Sequence, residues 1–224
     1  MKKLLFLLCF IGSLAGDLYA KDSFRPRTKK IIINTETDAK IFVDGKQISS
    51  TTTKIKVEPW ATVNVRVEKV GYITEERNYI NDGRHELPTT DYIKLEKDDA
   101  FESSMITDIA NRDIDLKTNH TEDDSWKLIA RIITNNFDVI QISDKTTGYM
   151  CTAWMVKNFK AATIRTRLII KTVNTDPLQY KVKLISEIAP SGTSSSHDES
   201  FRAWDRLLRS FDNVIPELQS RLNK

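Results

Sequence analysis

Apolar and polar residues alternate over most of this chain, and the alternation predicts strands. Ile41 and Val43, Ile55 and Val57, then Val63, Val65 and Val67 are each separated by polar residues. Between the first two runs, Asp44-Gly45 favours the positive φ angles of a tight hairpin turn, and the pattern closes at Gly71-Tyr72. After a charged stretch at 96–99 the period changes. Asp113-Ile114-Asp115-Leu116-Lys117 alternates like a strand, whereas 101–110 is compatible with a helix or an edge. Following Thr121, the positions Trp126, Ile129, Ile132 and Ile133 form a helical stripe, with Thr121 and Asp124 as caps and Glu122 and Asp123 near the positive helix end. Four strands are expected next, at 137–143, 149–156, 162–173 and 178–188, joined by short turns into an antiparallel meander. A Ser/Gly loop at 190–196 precedes Phe201, Trp204, Leu208, Phe211, Ile215, Leu218 and Leu222, spaced by three and four as on a helix. Pro216 predicts a kink there, or two helices with Asn213 capping the second.

Ala39, Ile41, Val43, Asp44, Gly45, Lys46, Ile48, Thr51, Val63, Val65, Val67, Gly71 and Tyr72 stand in an order that, over about 29–97, resembles the PEGA domain family of bacterial envelope proteins. The defining Pro-Glu-Gly-Ala is here Glu36-Thr37-Asp38-Ala39, and the usual glycine before the last long strand is replaced near Pro59-Trp60-Ala61. The resemblance implies a β-sandwich and an interaction module of the cell envelope. The order strand, helix, four strands, helix in the second half is similar to helix-grip domains of lipoproteins that serve outer-membrane barrel assembly. The expected fold class is therefore two-domain: a PEGA-like β domain at 29–97 followed by an α+β domain at 98–224, with helices on an antiparallel sheet.

The amino terminus sets the compartment. Met1-Lys2-Lys3 is basic, and Leu4 to Ile11 is apolar but too short to span a bilayer. This reads as a signal peptide at 1–20, cleaved after Ala20, with Ala15 and Gly16 as alternatives, and a flexible leader at 21–28. A periplasmic or secreted protein is expected; lipid attachment through Cys9 is disfavoured because no small residue precedes it. After cleavage Cys151 is the one remaining cysteine, so no internal disulfide is available and burial must supply stability. Residues 98–224 hold 17 basic against 18 acidic side chains, which argues against a nucleic-acid footprint. No later apolar run reaches membrane-spanning length.

Catalytic signals are weak. Ser194, His197 and Asp198 are neighbours in one low-complexity loop, and a triad needs convergence in space. The acidic run 122–124 lacks the glycine and ligand spacing of a calcium loop, and Cys151 has no flanking charge to activate it. No catalytic group, cofactor or metal site is expected. Trp126, Trp154 and Trp204 fall on apolar faces and read as core. Trp60 follows Pro59 at a turn, where it either stacks on a sugar or docks a partner, or packs against the second domain. On the hairpin 162–188, parity places Arg165, Arg167, Lys171, Lys181 and Lys183 on one face opposite the apolar rows, with Glu187 as the one acid among those outward positions. Such a face is either simply solvated or meets an anionic partner: a phosphorylated glycan, an acidic protein surface or the first domain. The expected function is non-catalytic binding of an envelope protein or polysaccharide. The alternatives are a small-ligand carrier with a cavity under the last helix, and an enzyme with a cleft between domains.

Overall fold

Asp44 and Gly45 have φ angles of 48° and 79°, the mirrored turn whose twist matches two paired strands. They join β2 (Lys40–Val43) to β3 (Lys46–Ser49). Strand β2 also pairs antiparallel with β5 (Thr62–Glu68), and β5 with β6 (Glu75–Ile80). A second sheet centres on β1 (Lys29–Thr35), antiparallel to β4 (Thr52–Val57) and parallel to β7 (Thr90–Ile93). This is a computed structural model that describes residues 26–223. The expected signal peptide, Cys9 and most of the leader lie outside the described residues.

Alternation decides which side of each sheet is buried. Ile31, Ile33, Ile55, Val57 and Ile93 from one sheet join Ile41, Val63, Val65, Val67 and Tyr79 from the other in a single apolar cluster. A polar clasp ties the sheets together. Arg77 on β6 donates to both oxygens of Asp91 on β7 at 2.9 Å, and the Tyr79 hydroxyl donates to the same carboxylate at 2.6 Å.

The rest of the chain is α1 (Asp99–Glu102), β8 (Ser104–Ile106), β9 (Asp113–Lys117), α2 (Glu122–Asn136), β10 (Ile140–Asp144), β11 (Tyr149–Thr152), β12 (Met155–Asn158), β13 (Ala162–Thr175), β14 (Leu178–Pro190), β15 (Arg202–Ala203), β16 (Arg206–Leu208) and α3 (Val214–Leu222). A seven-stranded sheet runs β10-β11-β13-β14-β15, with β12 also on β13 and β9 on β14. All of its pairings are antiparallel. Helix α2 begins as its residues require: the Thr121 hydroxyl accepts from the Asp124 amide at 3.2 Å and donates to the Asp124 carboxylate at 2.8 Å. Ile129, Ile132 and Ile133 then bury against Ile164, Leu168, Ile170, Val182 and Leu184 of the sheet, and Val214, Leu218 and Leu222 of α3 close the same cluster. Phe137 stacks on Phe211 with ring centroids 4.9 Å apart. The space beneath the last helix is thus filled by side chains. The described chain is mostly β, and none of its helices is long and apolar enough to cross a membrane.

Two predicted elements differ. The helical spacing over 201–222 yields a helix only at Val214–Leu222; Phe201 to Phe211 instead forms the short strands β15 and β16 and a 3-10 turn. Their edges pair with β14 and β8, so backbone partners supplied by the tertiary fold override a helical period. Pro216 does not kink a helix, because it sits in the first turn of α3, where no earlier carbonyl awaits its missing N–H. Asn213 precedes that helix but makes no side-chain capping bond.

The strand expected at 149–156 is broken into β11 and β12, both against β13. Cys151 pairs with Ile169 and Met155 with Thr166, so four steps on one side advance against three on the other. One extra residue is therefore accommodated at Ala153-Trp154, and side-chain parity slips by one. The Thr152 hydroxyl fills the gap, accepting from the Leu168 amide at 3.0 Å.

The two apolar clusters share no residue. The charged segment between them is held rather than free: Ile73 N–H donates to Glu96 O at 2.8 Å and Asp98 N–H to Gly71 O at 3.0 Å. Lys160 forms an ion pair with Glu96, and Asp98 caps α1.

Candidate functional site

The face of the seven-stranded sheet opposite its apolar core carries the predicted cations. In register, Arg165 lies beside Glu187, Arg167 beside Ile185, Ile169 beside Lys183 and Lys171 beside Lys181. Inward neighbours Ile164, Leu168, Ile170, Val182 and Leu184 are fully buried. Parity thus assigns the two faces of β13 and β14 as their alternation requires.

The five cations are not equivalent. Arg165 is only 3% exposed. Its Nε donates to Glu187 Oε2 at 2.7 Å, and its Nη1 donates to Asp198 Oδ1 at 2.5 Å and to Ser195 O at 2.8 Å. Its guanidinium carbon lies 4.0 Å from the Phe201 ring centroid and 4.1 Å from that of Trp154. A buried guanidinium with two carboxylates and two aromatic faces is internally satisfied, so Arg165 anchors the 194–198 loop and is not a free cation. The same contact explains the Ser194, His197 and Asp198 loop: Asp198 serves Arg165, while the Ser194 hydroxyl bonds Ser196 at 2.9 Å.

Arg167 contrasts with its neighbour. Its guanidinium carbon also lies 4.1 Å from the Trp154 centroid, yet no carboxylate among the described residues is within ion-pair distance of it. Its Nε is buried without a hydrogen-bond partner among the described residues, a state that costs about 1–3 kcal/mol. Trp154, expected in the core, lies instead on this outward face, because the extra residue before β12 reverses its direction.

Further along, Lys171 and Lys181 oppose each other directly and neither is ion-paired among the described residues. Lys183 pairs with Asp113 at 3.5 Å. Together with Ile169 these residues line a cavity of about 130 Å³. Strand β9 places Asp113 beside Lys183 and Asp115 beside Lys181, so Glu187 is not the one acid on this face. Those two acids were missed because the sequence shows β9 as a strand but not which neighbour it takes. With Arg165 already paired, Arg167, Lys171, Lys181 and Lys183 still outnumber Asp113 and Asp115. Tyr149, in register with Lys171, has its phenol pushed above the ordinary value by burial and by Cys151, against an opposing pull from Arg167. It therefore remains a neutral hydrogen-bonding group near pH 7. Cys151 is buried beside Ile169.

Trp60 stands apart. It is 66% exposed, so it does not pack against the second apolar cluster. It occupies the β4–β5 turn with φ of 63°, and its amide donates to Asn81 O at 2.8 Å. Trp126 and Trp204 pack, partly buried, on the larger core as expected. The acids at 122–124 lie in the first turn of α2, next to its Thr121 cap, and Asp123 pairs with Lys145. Among the described residues no three His, Cys, Asp or Glu side chains converge in a metal-ligating group. No protein-family model matches this chain, and no curated protein matches it significantly.

Proposed function

We propose that this is an exported, non-catalytic binding protein of the cell envelope, periplasmic or secreted, that docks an acidic protein or polysaccharide on the outward face of its seven-stranded sheet. In this reading the chain has two domains. The first apolar cluster belongs to a PEGA-like β-sandwich at 29–97, and the second to an α+β domain at 98–224. The observation that carries the proposal is Arg167: a guanidinium positioned on Trp154 that has, among the described residues, a buried unpartnered Nε and no acid of its own. The directly opposed Lys171 and Lys181 support it, since like charges facing across a strand pair destabilise the pair. An anionic partner would satisfy both. Screening over roughly 8 Å at physiological salt limits the effect to direct contact.

The test is affinity capture from the native envelope fraction, comparing the wild-type chain with an Arg167→Glu, Lys181→Glu double variant. Loss of a defined acidic partner at unchanged melting temperature is the expected result. Identical partners at identical stability would reject the docking face.

A further inference from the structure

We infer that the cavity bounded by Lys171, Lys181 and Lys183 is a subsite for a tetrahedral oxyanion, namely a phosphate group borne by the partner. The inference rests on the docking reading above and goes further by naming the chemistry. Three lysines from two neighbouring strands line it, together with Ile169 and the Asp113 carboxylate. Asp113 engages Lys183 and Asp115 lies beside Lys181, but among the described residues neither Lys171 nor Lys181 is ion-paired, and the two oppose each other directly. Ammonium groups are compact point charges with rotatable donors and bind phosphate in that way, while the planar fork of arginine matches carboxylate and phosphate alike. A volume of about 130 Å³ accommodates a phosphate group with a few waters, at ~30 Å³ for each water. Arg167 lies four residues from Lys171 on the same face, about 13 Å along the strand. A phosphate-bearing chain lying along β13 therefore reaches both.

The full chain is titrated with inorganic phosphate, with acetate at matched ionic strength as the planar control, and followed by amide NMR shifts at 169–171 and 181–183. Saturable shifts with phosphate and not acetate are expected, and Lys181→Glu should weaken them about tenfold or more. Lys94→Glu, an exposed charge-matched change on the smaller core, should leave them unaltered. Polyphosphate separates the sources of the group. Binding tighter than inorganic phosphate, and weakened by both Arg167→Glu and Lys181→Glu, identifies a polymer along the strand; binding no tighter identifies a single phosphate group. Equal response to acetate, equal loss in Lys94→Glu, or preference for polyglutamate over polyphosphate overturns the inference. If phosphate produces no response while envelope capture still depends on Arg167 and Lys181, the phosphate subsite falls and the docking face stands. If capture is also insensitive, both fall.

Discussion

Two residues show how single side chains depart from what stability alone selects. Trp60 is exposed and held at φ of 63°, a region that costs a side chain about 1 kcal/mol or more and that glycine adopts freely. Trp60→Gly should therefore stabilise the chain by about 0.5–1 kcal/mol, read as a higher denaturant midpoint. A loss of stability would mean that the indole makes a contact worth more than the strain. Asp91 is the opposite case. Burial works against its charge, but the Tyr79 hydroxyl and the Arg77 guanidinium outweigh it and hold the carboxyl below the usual range. The unfolded chain then binds the proton more readily, so this group contributes stability above its unfolded pKa of about 3.9, and the contribution fades as pH falls through the lower folded value. Asp91→Asn should cost about 1–2 kcal/mol at pH 7. The difference from wild type should shrink in acid, as measured by unfolding at pH 7 and below pH 3.

At the scale of elements, the decisive event is the extra residue between β11 and β12. It turns Trp154 from the core to the outer face and sets it against both Arg165 and Arg167. Arg165 then binds Glu187, Asp198 and Ser195 O, which fastens the 194–198 loop to the sheet. Arg165→Ala strips the partner from these carboxylates, leaving Glu187 largely buried and unpaired. It should lower stability by roughly 2–4 kcal/mol, below the full cost of a buried pair because Asp198 itself is solvated. Hydrogen exchange at 194–200 should accelerate in the same variant; unchanged protection there would show that the loop is held by other contacts.

At the scale of the whole molecule, two apolar clusters are joined by a segment that is itself hydrogen-bonded and capped. Limited proteolysis with a nonspecific protease should therefore cut first at 191–197, where almost every residue is exposed, and only later at 96–99. First cuts at 96–99 would mean that the junction opens more readily than its hydrogen bonds suggest.

The sequence by itself determined what depends on near neighbours. The Asp44-Gly45 turn, strand β9, the capped helix α2 and the two faces of β13 and β14 follow from local backbone preference and from the period of burial. The outward-facing side of Arg167, Lys171, Lys181 and Lys183 follows from the same period. Tertiary structure decided what depends on partners distant in the chain. A helical spacing over 201–211 was overridden because strand edges at β14 and β8 offered backbone hydrogen bonds that no local period encodes. The placement of β9 beside β14 brought Asp113 and Asp115 to the lysines, and one extra residue before β12 brought Trp154 to the arginines. Charge and parity can be read along a strand; which charges meet is settled only when strands choose neighbours and register, because ion pairing and stacking act over a few ångströms of space.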